Sequence, residues 1–97
     1  MGRKGKSAYD RTEFVRMSDE HTAFELADKL LRRNPLIINF EDYNVVESNR
    51  VIVFLSGVIY ALDGDVEVIK EKVMVFATKP DFKDKSLRDF IKKHKET

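Results

Sequence analysis

Fifteen residues, Arg50 to Gly64, constrain this chain more than any others: RVIVFLSGVIYALDG is apolar almost throughout and carries no charge between Arg50 and Asp63. Two local structures compete for it. As strands, Val51-Ile52-Val53-Phe54 and Val58-Ile59-Tyr60 are β-formers flanking a Ser56-Gly57 turn signal, and propensity alone leans to a hairpin. As a helix, the segment places Val51, Leu55, Val58 and Leu62 on one face. Val53, Gly57 and Tyr60, with Phe54 beside them, then lie largely on the other. Such a helix needs cover on two sides, its own sheet and a second protein surface.

The rest of the chain narrows the function classes. Its 97 residues fit one domain and bury only roughly two thirds of the unfolded surface. Basic and acidic residues nearly balance, 18 against 17, which argues against a nucleic-acid binder working by overall charge. There is no cysteine, hence no disulfide framework, thiol nucleophile or Cys-based zinc site, and no metal or other cofactor is expected. His21 and His94 lie far apart in polar stretches, without an activated serine at a hydrolase spacing. Asp63-Gly64-Asp65 lacks the ligands of a calcium loop and reads as a turn at a helix end, Gly64 taking the left-handed conformation. The carboxylate pair Glu41-Asp42 has no apolar pocket in view to split its pKa values. No apolar run approaches the ~18 residues of a membrane span, and no signal-peptide core is present, so a small cytosolic domain is expected.

Along the chain, residues 1–12 (MGRKGKSAYDRT) have no apolar run and read as a flexible basic arm, with Arg3, Lys4 and Lys6 at its start. Glu13 to Met17 predicts a first strand. Thr22 and Glu25 stand at capping-box spacing before a helix from Ala23 to Leu31, which Asn34-Pro35 stops. Leu36 to Phe40 reads as a strand covered on both faces, so the order is a β-α-β unit. Val66 and Val68, then Val73 to Phe76, predict a hairpin around Lys70-Glu71-Lys72 that ends at Lys79-Pro80-Asp81. Ser86 and Asp89 are positioned to cap a last helix whose Leu87, Phe90 and Ile91 share a face.

Asn39, the acidic loop after it, Arg50 and the block FLSG-x-x-YA-x-x-G, here Phe54 to Gly64, resemble the SepF family of cell-division proteins. The similarity runs from about Phe14 to Pro80. It implies a helix over 45–62, reversing the propensity reading, because burial on two sides overrides β-preference. The implied fold is an α/β (α+β) sandwich, β-α-β-α-β-β plus a C-terminal helix, with two helices on one face of a small sheet. Three parts follow: the arm at 1–12, a SepF-like core at 13–80 and a C-terminal helix at 81–97. The implied protein is dimeric through its second helix or its sheet, with Val53, Phe54, Gly57 and Val58 as self-association residues. A mid-helix Gly57, costing ~1 kcal/mol against Ala, then permits a close helix or chain approach.

The resemblance also implies a non-enzymatic adaptor that binds the C-terminal peptide of the tubulin-like FtsZ, self-assembles into dimers and larger assemblies, and acts at the division site on the inner membrane face. The tail is expected near the last strand and the helix beside it, with Lys70, Met74, Phe76, Leu55 and Tyr60 as candidate contacts. Relatives often carry an aromatic where this chain has Met74, and a basic residue where it has Val68. Many relatives also begin with an amphipathic membrane helix, whereas residues 1–12 have no apolar face and Lys6 breaks the acylation signal. Either that anchor is absent here, or Arg3, Lys4 and Lys6 contact anionic lipid at ~1 kcal/mol each. Two rivals remain: a small ligand-sensing regulatory domain, for which Asn39, Asn44 and Asn49 look scattered, and RNA binding, for which Tyr9, Phe14 and Tyr43 lack interleaved cations.

Overall fold

The computed structural model describes residues 6–95. Nine elements follow one another: α1 (Ala8–Arg11), β1 (Glu13–Arg16), α2 (Ala23–Leu31), β2 (Leu36–Asn39), α3 (Val45–Ala61), β3 (Gly64–Lys70), β4 (Val73–Thr78), α4 (Lys79–Lys83) and α5 (Lys85–His94). The strands form a mixed sheet in the order β1-β2-β4-β3. β1 and β2 run parallel with Val15 opposite Ile38, as the β-α-β reading requires, and β2 pairs antiparallel with β4, Ile38 opposite Met74. β3 and β4 are the expected hairpin, with a bulge between Val68 and Lys70.

Arg50 to Gly64 resolves in favour of the helix. Asn44 caps α3 by accepting the Glu47 N–H at 3.0 Å. Ser48, Val51, Leu55 and Ile59 then form one buried stripe against the sheet. In helical form this segment covers the β4–β3 half of the sheet while α2 covers the β1–β2 half, and that burial outweighs its β-propensity. The capping box of α2 is complete: the Glu25 N–H donates to Thr22 Oγ1 at 3.1 Å, and the Thr22 N–H donates to Glu25 Oε1 at 3.0 Å.

The sheet therefore has a core on each face. Val15, Leu26, Leu30, Ile38, Leu55 and Phe76 pack on the α2–α3 side. Ile37, Val75, Ala77, Phe82, Leu87 and Ile91 pack on the other, beneath α4 and α5. α4 and α5 cover much of that second face, and an open groove beside α5 keeps Phe14, Ile69 and Phe90 in its lining.

Three local expectations need correction. The arm does not extend as an unstructured segment to residue 12. Ala8–Arg11 is a helical turn with Ala8 fully buried; its N–H donates to Asp84 Oδ2 at 3.2 Å, and Arg11 forms an ion pair with Asp81 at 2.5 Å. Burial of one small residue and two long-range polar clips hold what composition alone would leave loose. Next, Gly64 is not left-handed; Asp63 is, with φ 61°. Gly64 is needed for space instead, since a Cβ there would lie 2.5 Å from the Ala77 carbonyl oxygen and 2.6 Å from Ile59 Cγ1. Finally, α5 is capped by Asp84, which accepts the Ser86 N–H at 2.8 Å, and neither Ser86 nor Asp89 is the cap.

Candidate protein-interaction surfaces

The first turns of α3, the loop before it and β4 enclose a small groove of about 210 Å³. Met74, Ile52, Phe40 and Tyr43 supply most of its apolar lining, and Lys72 is the one cation in it. The Lys72 backbone is left-handed, φ 66°, and its carbonyl accepts the Phe40 N–H at 2.7 Å, so the hairpin turn is fastened to the end of β2. Burial, and then the nearby Asp19 and Glu47 carboxylates, hold the Tyr43 hydroxyl above the ordinary tyrosine range, so it stays protonated. Ser48 also lines the groove; it is 7% exposed, and its Oγ has no hydrogen-bond partner.

A second surface lies on the outer sides of α2 and α3. Phe24 and Tyr60 are each 77% exposed and Val53 is 71% exposed, with Val46, Leu31 and Phe54 adding to the patch. Phe24 and Phe54 meet edge to face, ring centroids 5.4 Å apart, and bridge the two helices. Gly57 sits on this outer side, and no heavy atom would lie within 4 Å of a Cβ placed on it. Within one chain, then, Gly57 is not a close-packing residue. Large exposed apolar patches of this kind mark interaction sites.

The candidate site residues separate when placed in the fold. Met74 is in the groove and only partly buried. Phe76 and Leu55 are both fully buried in the core, so neither reaches a partner: the side chain of each points between sheet and helices. Lys70 lines a different groove, about 390 Å³, on the α5 side together with Arg16, Asn39, Phe90 and His94. The bulge after Val68 shifts the register of Lys70, and Lys72 is the cation beside Met74. Tyr60, Val53, Phe54 and Val58 belong to the α2–α3 surface, the last two lining a shallow depression with Phe24 and Leu31. Val68 pairs directly with Met74, partly exposed on the edge strand. Lys6 is exposed, whereas Arg3 and Lys4 lie outside the described residues.

Ser48 was not singled out from the residues, and Lys72 was read only as following Val68 in the hairpin turn. Asn44-x-x-Glu47 signals the start of α3, and counting three, seven and eleven residues on from Ser48 reaches Val51, Leu55 and Ile59, which would have put the serine on the buried stripe. The His21 backbone N–H donates to the Ser18 carbonyl at 3.1 Å, and His94 stacks on Phe90 with centroids 4.3 Å apart. Among the described residues no group of three or more His, Asp or Glu is placed to hold a metal ion, and no helix is long and apolar enough to cross a membrane.

Comparison with known proteins decides the family. The family model described as cell division protein SepF matches residues 14–80. This chain belongs to the SepF family. A SepF cell division protein of Lactobacillus delbrueckii subsp. bulgaricus is 38% identical over 60 residues, 62% of this chain and 43% of the relative. That of Brevibacillus brevis is 36% identical over 53 residues, 55% of this chain and 37% of the relative. That of Rubrobacter xylanophilus is 34% identical over 65 residues, 67% and 35% of the two chains. This chain thus matches less than half the length of each of these SepF relatives. The matched span contains α2, α3, the groove and the β3–β4 hairpin, but not α5 or the helical turn α1.

Proposed function

We propose that this SepF domain is a non-enzymatic cell-division adaptor. It binds the C-terminal tail of FtsZ, pairs with a second copy of itself through α2 and α3, and helps organise FtsZ filaments at the division site on the inner face of the membrane. The observation that carries the proposal is the apolar groove at Met74, with Lys72 in its lining, close to the exposed α2–α3 surface. A tail that orders on a preformed groove binds with modest affinity per site, and repeated sites along a filament add through avidity.

Self-association follows from the same face. Val53, Phe54 and Tyr60 are large apolar groups left open in the single chain, and Gly57 leaves room for a partner helix to approach. Larger assemblies form along FtsZ by sharing the filament. The test is anisotropy of a fluorescent peptide carrying the FtsZ C-terminus, with light scattering for mass in parallel. Saturable binding to a particle of twice the chain mass is expected. A folded protein that leaves the peptide free at high micromolar concentration refutes the adaptor reading.

One observation favours a second reading, a ligand-sensing domain. The α5-side groove brings Asn39 together with Arg16, Lys70 and His94, at a volume within the roughly 300–1,000 Å³ range of small-molecule pockets. Asn44 and Asn49 are elsewhere, on α3 and its cap. A thermal-shift screen with anionic metabolites separates the two: a rise of several degrees with a metabolite, and none with the tail peptide, puts the sensor first.

A further inference from the structure

Resting on the reading that the α5-side groove takes a small ligand, and independent of the adaptor reading, we infer that this groove binds a small amphipathic carboxylate. Its apolar body lies against Phe14 and Phe90, and its charge meets Lys70. Arg16, Asn39, Lys70 and His94 are the polar members of the lining, and among the described residues no Asp or Glu lines it. Two of the four are already engaged: Asp42 holds the Arg16 guanidinium at 2.7 Å, and Asn39 Oδ1 accepts the Glu41 N–H at 2.8 Å. Lys70 is exposed and makes no ion pair among the described residues, so it is the uncommitted charge of the groove. Glu41, Asp42 and Glu71 share with it a separate polar depression, none of them within ion-pairing distance.

The apolar half of the lining comes from sheet and helix together. Ile37, Ile69 and Val73 are buried members of the second core. Phe14 is still 55% exposed, although it meets Phe90 edge to face with ring centroids 5.5 Å apart. An exposed aromatic ring in one groove with an uncommitted cation selects a ligand that has both an apolar body and a negative charge. The body takes Phe14 out of water, and the water it displaces no longer screens the charge from Lys70. The volume of about 390 Å³ fits a small molecule. The groove shares no lining residue with the Met74 groove, so this ligand does not take the place of the tail. Phe90 and His94 lie beyond the span matched by the SepF family model, so a helix outside that match completes the site.

The experiment titrates phenylpropionate, its neutral counterpart phenylpropanol and its cationic counterpart phenylpropylamine into the full chain, read by amide proton–nitrogen NMR spectra. Saturable shifts at Phe14, Ile37, Val73 and Phe90 are expected, with the carboxylate about 2- to 10-fold tighter than the alcohol and the amine weakest. Lys70→Gln should weaken the carboxylate about 2- to 5-fold and leave the alcohol unchanged. Phe14→Ala should weaken both alike. Lys92→Gln removes an exposed α5 charge outside the lining and should change neither. Equal binding of carboxylate and alcohol keeps the groove as a ligand site and overturns the choice of an anion. No saturable shift from any of the three at tens of millimolar overturns the ligand-site reading and the carboxylate with it, and leaves the adaptor reading standing. If Lys92→Gln weakens the carboxylate as much as Lys70→Gln does, or if phenylpropionate displaces the fluorescent FtsZ tail, the separate carboxylate site is overturned.

Discussion

Two glycines seven residues apart should respond to the same substitution with opposite signs. At Gly64 an alanine methyl would meet the Ala77 carbonyl oxygen at 2.5 Å and Ile59 at 2.6 Å. The oxygen is part of the β3–β4 ladder, where Gly64 pairs with Thr78 and Asp65 with Ala77, and it cannot swing aside as a side chain does. Overpacking of this kind costs about 1–3 kcal/mol. At roughly 4–8 °C per kcal/mol for a domain of this length, Gly64→Ala should melt about 5–20 °C below the parent. At Gly57 nothing lies within 4 Å of the added methyl, and the site is in mid-helix. There, alanine gains about 0.8–1.0 kcal/mol of helix propensity, so Gly57→Ala should melt about 3–8 °C higher at dilute protein. Circular-dichroism melts at low micromolar protein, repeated fifty-fold more concentrated, give both values. Gly64→Ala melting with the parent would refute the close-approach argument, and Gly57→Ala melting lower when dilute would refute the open-space argument. If a second copy packs on Gly57, the alanine gain shrinks as concentration rises, since dimer burial then adds to the parent's stability.

Other outcomes follow from the same packing. Val53→Glu should leave the melting temperature of dilute protein within a few degrees, because the side chain is exposed, yet lower the particle mass seen by light scattering. Arg11→Ala strands Asp81, which is 12% exposed, and should cost about 1–3 kcal/mol in urea unfolding. Hydrogen bonds from Ser86 and from the Ala8 N–H hold the Asp84 carboxyl below its ordinary value of 3.8. Its contribution is therefore complete above that value and is lost as pH falls through the lower folded value. Acid unfolding of Asp84→Asn should accordingly be less steep in that window than acid unfolding of the parent.

The elements were legible where one signal dominated. Thr22 and Glu25, or the turn residues between Val68 and Val73, act through neighbours in sequence, and the structure places both features as read. Arg50 to Gly64 was not legible from propensity, because its helix is chosen by burial against β3 and β4, contacts that no local window contains. The resemblance supplied what the residues could not. The candidate contacts fared less evenly for a related reason. Phe76 shares the strand face of Met74 but is fully buried in the core against which Met74 only partly packs, and the bulge redirects Lys70 to the far face. The docking of α1 was also hidden, since its partners Asp81, Asp84 and Ser86 lie more than seventy positions away or at that separation.

The layer formed by α4 and α5 has a consequence for symmetry. Copies that meet through α2 and α3 use the same patch on both partners, and a contact of that type is exhausted once two chains have joined. Growth into a filament needs a second, different contact, and the broad apolar face that could have offered one, around Ile37, Val75 and Ala77, is already occupied by Phe82, Leu87 and Ile91 of the same chain. If α2 and α3 make the one self-contact, order along a larger structure comes from the polymer that the pair decorates.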